Sequence, residues 1–315
     1  MSNVVSAPTY PVGVRALLPE EARRRRTIES AIVTSLEARR FEEIVLPIID
    51  FVDAYDDTFD KQAQRRSYRF VDREGELVAV RSDFTPMVAR ALAPSLVRAQ
   101  LPLRVFYRGD VIRCEASRLG ATREFFQIGA ELIGDPSPGA DFAMIELATA
   151  IVSSLGIRPT VVVTDSLLAT RLIEGSTNSP EEQRTIRSAL ANKRSSELDS
   201  VRGIEGERLA LLRRVVTGRA TLDDFLALPE TADAATNLAA LQSHGSADAT
   251  IVLAIDDVDE EPGYYTGVRF RIFEPKSRLR LAQGGRYDRL YSRFGADVSA
   301  VGFTLTVDYL DAEGR

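Results

Sequence analysis

Hydrophobic and polar positions along the chain alternate between helical and strand periods. Ile28, Ile32 and Leu36 recur at helical spacing, with Val33 beside them. Pro19 followed by Glu20 and Glu21 supplies the start of that helix, since proline fits a first turn and acids suit the positive end of the helix dipole. Residues 41–46 read as a strand stopped by Pro47. Two short strand patterns, 68–71 and 77–81, flank the turn-like Asp72-Arg73-Glu74-Gly75 and predict a hairpin. Thr85-Pro86 then predicts a capping threonine with proline at the first helical position, and a helix through 87–92.

The strongest strand patterns are 103–115 and 124–133, and the polar stretch 116–123 between them predicts a long antiparallel hairpin. A helix follows over 141–155, with Gly156 suited to its C-terminal cap, and then a strand over 160–164. From 167 to 245 the chain is helical, charged and rich in Ala and Leu, with helix starts at Ser179-Pro180 and Thr221. Strand patterns return at 250–255, 268–273 and 278–282, followed by a short helix over 287–294 and a last segment over 300–310. So few βαβ units favour an α+β fold with a mostly antiparallel sheet over a doubly wound one.

Alternate residues of a strand share a face. One face of 124–132 carries Phe126, Ile128, Ala130 and Leu132, which is ordinary core. The other carries Phe125, Gln127, Gly129 and Glu131. Tyr107, Arg113 and Glu115 share one parity in the preceding strand. If the two polar faces coincide, Arg, Gln, Glu and Tyr gather around Gly129. A solvated face and a covered pocket both produce this pattern; a covered one must supply hydrogen-bond partners, and a small polar ligand can do so. Tyr264-Tyr265, between Gly263 and Gly267, form a stiff aromatic patch. Gly284-Gly285 permit close backbone approach, and for both segments the bland alternative is a tight turn.

Composition narrows the function classes. The chain has 315 residues, 44% hydrophobic and 27% charged, as in an ordinary globular protein of about two domains. Acidic residues exceed basic ones by 46 to 40, a net charge of −6, which argues against a general nucleic-acid binder. The basic run Arg23 to Arg26 is expected to be a solvated face, because four adjacent helical residues point in different directions. The single cysteine, Cys114, is expected to be packed in a strand, and it leaves no disulfide framework or multi-cysteine zinc site. The single histidine, His244, sits among small polar residues and is expected to be a solvated loop residue, so a catalytic triad or His-rich metal site would have to be built without the usual residue. No run approaches the ~20 apolar residues of a membrane span, and the first residues lack a signal-peptide pattern, so a cytoplasmic setting is expected.

Taken together, these segments resemble the catalytic domain of histidyl-tRNA synthetases. YRGDVIRCE (107–115) with TREFFQIGAELIG (122–134) is similar to that family's second signature. RSDFTPMVAR (81–90) is similar to its substrate-contacting loop, and YYTG (264–267) and GGRYDRL (284–290) to its later segments. The first helix and strand, through Pro47, resemble its dimer-forming signature. The resemblance implies a class II aminoacyl-tRNA synthetase-like fold, α+β, an antiparallel sheet flanked by helices. It would occupy 1–166 and 246–315, with 167–245 as a helical insertion.

Departures from the pattern bear on activity. Tyr309 stands where the synthetase arginine that holds the ATP triphosphate would be, and Glu260 where the arginine that activates the histidine carboxylate would be. Adenylate formation needs positive groups aimed at phosphoryl charge, and losing one such donor costs about 2.7–4 kcal/mol. The chain also ends at Arg315, with no room expected for an anticodon-binding domain. These features resemble instead the regulatory subunit family of ATP phosphoribosyltransferase, the first step of histidine biosynthesis. That resemblance implies a non-catalytic chain supporting a short-form catalytic subunit and taking part in feedback inhibition by L-histidine. It implies a homodimer within a larger hetero-oligomer, with no cofactor, no metal, no tRNA and no membrane. The competing expectations are a truncated synthetase or other ATP-dependent amino-acid ligase, and a binding protein for another ligand.

By the same resemblance the histidine pocket comprises Asp83, Thr85, Arg113, Gln127, Glu131, Tyr264 and Tyr265. Asp83, Gln127 or Glu131 would receive the ammonium or imidazole N–H, Thr85 would add a hydroxyl, and the tyrosines would wall the ring. Arg113 would pair with the carboxylate as a fork, although it also matches an ATP-contacting arginine. Asp83 replaces the synthetase's usual glutamate.

Overall fold

The computed structural model describes residues 10–55, 67–114, 122–204, 206–243, 248–260 and 264–311. His244, Glu115, most of the 116–123 connection and residues 261–263 lie outside them. Helix α1 (Pro19–Glu37) begins at the expected proline and buries Ile32 and Leu36. Strand β1 is shorter than the 41–46 pattern: only Glu42–Glu43 pair, parallel to β5. The chain leaves the main sheet after Ile44, and at Ile49–Phe51 it forms β2 of a separate three-stranded sheet in the order β2-β4-β3. The expected hairpin is there, as β3 (Arg69–Val71) and β4 (Leu77–Val80).

An eight-stranded sheet forms the body, in the order β1-β5-β6-β11-β10-β9-β7-β8. Its centre is the long hairpin β5 (Leu103–Ile112) and β6 (Glu124–Ile133). Strands β7 (Thr160–Asp165), β8 (Thr250–Leu253), β9 (Val268–Phe273), β10 (Arg280–Arg286) and β11 (Ala300–Thr306) complete it. Only β1 with β5 and β7 with β8 run parallel, so the mostly antiparallel expectation holds.

Alternation along the strands gives the sheet two different faces. Ile128, Ala130, Phe270, Ile272, Phe303 and Leu305 belong to one apolar core. Helices α1 and α3 (Pro138–Ser154) pack on it, and so do α4 (Ser166–Ser176), α5 (Pro180–Ala191), α6 (Gly206–Val216), α7 (Leu222–Leu226) and α8 (Ala232–Ser243). Ser179 and Thr221 cap α5 and α7, as their sequence contexts predict. Tyr107, Phe125 and Ile133 belong to a second core, packed against α2 (Thr85–Leu96) and the 287–296 segment. Both faces are therefore covered, which decides against a solvated polar face.

Four local expectations are corrected. Thr85 is the first residue of α2, not its cap: Phe84 holds that position, and the Thr85 N–H donates to Asp83 Oδ1 at 3.2 Å. Cys114 follows the end of β5 and is exposed, not packed in a strand. Arg24 and Arg25 are not free in solvent, because they pair with Asp311 and Asp308 near the other end of the chain. The helix over 287–294 shrinks to a 3-10 turn, Tyr291–Phe294, because Tyr287 still bonds across to β11 through Ala300.

Candidate functional site

The site lies on the face of the main sheet that carries the second core. Register sets its first row: Tyr107 stands opposite Gly129, Gly129 opposite Thr304, and Thr304 opposite Gln283. The next row runs from Val105 through Glu131, Gly302 and Gly285 to Arg269. Glycine recurs in both rows because larger neighbours cross there. A Cβ on Gly129 would enter the Tyr107 ring, one on Gly302 would enter the Glu131 carboxylate, and one on Gly285 would press on Tyr265. Gly284-Gly285 are thus part of β10, not a tight turn. They thin the sheet floor beneath the aromatic residues.

Above this floor a small pocket of about 10 Å³ is lined by Asp83, Thr85, Arg113, Gln127, Tyr264 and Tyr265, among others. Six of the seven residues expected from the sequence therefore meet in one place. Gln127 is 4% exposed and projects from β6 beside that floor. Asp83, just before α2, has its carboxyl raised above the usual range by burial, an effect that the Arg113 guanidinium opposes. Arg113 Nε donates to the Ser82 carbonyl at 3.0 Å, so only its terminal nitrogens remain for a carboxylate. The Tyr264 and Tyr265 rings lie 4.8 Å apart and tilted by 45°. Tyr264 also meets Tyr287 edge-on at 5.7 Å.

Glu131 is the exception. It lies beneath the cavity and does not line it. At 1% exposure it accepts the Thr85 hydroxyl at 3.0 Å and the Tyr287 hydroxyl. Burial pushes its carboxyl up to about 8, although those hydroxyls pull the other way. Its role in this state is to fix the hydroxyls that frame the cavity. Sequence reasoning did not include Gln283, Tyr287 or Thr304, all of which line it. Parity could have found the first, since Gln283 and Gly285 alternate with the apolar Ala282.

The two positions that depart from the synthetase pattern are turned to other uses. Tyr309 packs edge-on against Phe125 at 6.1 Å, and Phe125 in turn lies under the Arg113 guanidinium at 5.6 Å. Glu260 is exposed and accepts the Ser188 hydroxyl of α5 at 3.4 Å, pointing toward the helical block. Among the described residues, the cavity thus has Arg113 as the one guanidinium in its lining.

Comparison with known proteins fits this geometry. The family model described as histidyl-tRNA synthetase matches residues 13–310. A protein of Moorella thermoacetica named ATP phosphoribosyltransferase regulatory subunit is 32% identical over 95% of this chain and 80% of its own length. One of the same name from Geobacter sulfurreducens is 33% identical over 96% of this chain and 72% of its own length. The chain belongs to the histidyl-tRNA synthetase-like ATP phosphoribosyltransferase regulatory subunits.

Solved structures agree on the fold. A Bacillus halodurans protein titled ATP phosphoribosyltransferase regulatory subunit/histidyl-tRNA synthetase superposes with a TM-score of 0.82 at 24% identity, over 96% of this chain and 82% of that one. A histidine–tRNA ligase subunit of Alicyclobacillus acidocaldarius gives 0.75 at 25% identity, over 98% and 97%. The class II synthetase-like α+β fold expected from the sequence is therefore the fold observed.

Proposed function

We propose that this chain senses L-histidine in the cavity over Gly129 and Gly302, as the non-catalytic regulatory subunit of an ATP phosphoribosyltransferase. The observation that carries the reading is a division of charge. The cavity gathers Asp83, Gln127 and Arg113, groups suited to a zwitterionic amino acid with a polar ring. Positions that would steer a leaving diphosphate hold Tyr309, packed edge-on against Phe125, and Glu260, turned to α5. Among the described residues, a site of this kind suits an amino acid and has no cationic cradle for phosphoryl transfer.

In this reading Asp83 takes the ammonium, the Arg113 terminal nitrogens take the carboxylate, and Gln127 meets the imidazole beside Tyr264 and Tyr265. Glu131 acts from below, through Thr85 and Tyr287. Residues 167–245 form an insertion in a synthetase-like body made by 1–166 and 246–315. The partner is a short-form catalytic subunit, met by a homodimer of this chain in the cytoplasm. No helix among the described residues is long and apolar enough to cross a membrane.

Calorimetry with L-histidine on the purified chain tests the reading. Binding is expected in the wild type and at least about tenfold weaker in Gln127→Ala, the effect of removing a buried polar partner. Stimulation of the catalytic subunit, and its inhibition by histidine, are expected only when this chain is present. Histidine-dependent exchange of labelled pyrophosphate into ATP is expected to be absent; its detection would establish an ATP-dependent ligase instead.

A further inference from the structure

Arg286 makes no contact in the cavity, yet it is among the most constrained residues in the molecule. It is 6% exposed and ends β10, next to Tyr287. Its Nε donates to Asp141 Oδ1 at 2.8 Å, on α3. Its terminal nitrogens donate to the carbonyls of Asp135 at 3.1 Å and Ser137 at 3.0 Å, and to Asp288 Oδ1 at 3.1 Å. A planar fork making four hydrogen bonds fixes its neighbours in a way that a lysine point charge cannot.

Those neighbours lead both to the cavity and to the helical block. The Arg286 carbonyl accepts the Thr266 N–H at 2.8 Å, and the Thr266 hydroxyl accepts the Asp288 N–H at 2.8 Å. Gly267 lies directly on the Arg286 stem, where a Cβ would come within 3.3 Å of its Cδ. The cavity wall Tyr264-Tyr265 immediately precedes this segment. On the other side, the Gly267 carbonyl accepts the Ser166 N–H at 3.0 Å, at the first residue of α4. Asp165, paired with Val268 in the sheet, caps that helix through Leu167 N–H at 2.8 Å.

We propose that Arg286 is a positioning residue that ties the tyrosine wall of the cavity to the first turn of α4, so that filling the cavity is felt in the helical block. The inference rests on the histidine-cavity reading above. A ligand packed against Tyr264 and Tyr265 presses on 266–267, and that segment cannot yield without moving either Arg286 or Ser166. Coupling between two sites needs a shared element whose state both of them bias, and residues 266–267 are that element.

Amide hydrogen exchange on the full chain tests this, with L-histidine as the probe and with Arg286→Lys and Thr266→Val as variants. In the wild type, histidine is expected to slow exchange over 264–268 and over 165–168 together. In either variant it is expected to protect 264–268 alone. Assayed with the catalytic subunit, the variants are expected to raise the half-inhibitory histidine concentration at least about fivefold, the lower end of ordinary coupling, with the calorimetric affinity nearly unchanged. A purely structural role would move affinity and inhibition together, and that result overturns the proposal. So does wild-type protection confined to 264–268, which leaves the binding reading intact. If histidine does not bind at all, the binding reading fails, and the link is judged without ligand. Arg286→Lys must then speed exchange in both segments at once, and a change in only one overturns it.

Discussion

The Thr85 hydroxyl donates to Glu131 Oε1 at 3.0 Å, tying the first turn of α2 to a strand 46 residues further along the chain. This bond closes the cavity from below and leaves Thr85 unavailable as a helix cap. Thr85→Ala is expected to cost about 1–2 kcal/mol, the usual penalty for a buried polar group losing a partner. Thr85→Ser should recover most of it. Urea unfolding of the two variants checks this; equal loss in both would assign the effect to the methyl group instead.

Glu131 should make stability depend on pH with a definite sign. Burial pushes its carboxyl up to about 8 in the folded chain, against an ordinary value of 4.5. Between those values the folded state holds a proton that the unfolded state has released. Stability from this group is therefore greatest at low pH and falls as pH rises through that window, by up to about 1.4 kcal/mol per pH unit. The difference in melting temperature between wild type and Glu131→Gln should accordingly change between pH 5 and pH 8, measured as about 5 to 8 in steps of one unit. Parallel curves would contradict the assignment.

Gly302 and Gly129 should tolerate no side chain. A methyl group on either enters a neighbour that is itself fixed, the Glu131 carboxylate or the Tyr107 ring. Overpacking of this kind costs about 1–3 kcal/mol, and more where nothing can shift. Gly302→Ala and Gly129→Ala are expected to lower the thermal midpoint sharply. Gly156→Ala, with open space around the added methyl, should suffer only from its φ of +79°. Scanning calorimetry of the three variants ranks them.

Asp165 offers a case where charge and capping separate. Its carboxyl caps α4, yet burial pushes it up to about 6, so at neutral pH the buried group is ionised at a cost. Asp165→Asn keeps an acceptor for the Leu167 N–H and removes the charge. Asp165→Ala loses the cap, worth about 0.5–2 kcal/mol. At pH above about 7, chemical denaturation should rank Asn clearly above Ala; equal or reversed stability would mean that the cap bond contributes nothing.

Much of this molecule is legible in its sequence where local pattern and tertiary demand coincide. The β5–β6 hairpin and helix α1 follow from periodicity, because each must bury a single stripe or face. The parity of Phe125, Gln127, Gly129 and Glu131 sets a polar face of β6 apart, but the covering of that face by α2 and 287–296 is what makes it a pocket. Strand β10 was harder: Gly284-Gly285 look like a turn, since the reason for glycine there is the passage of Tyr265, Phe270 and Phe303. Arg24 and Arg25 looked solvated, since their partners Asp308 and Asp311 lie nearly 300 residues away, 287 for the closer-bonded pair.

What the sequence determined by itself was most of the elements and the polar parity on the hairpin, because these depend on residue type and spacing alone. Tertiary structure decided which polar residues line the pocket and which lie under it. Glu131 and Gln127 share a strand face and differ only in what crosses above them. Thr85 and Tyr287 cap the first and leave the second open, and no local rule fixes where two such distant segments will meet.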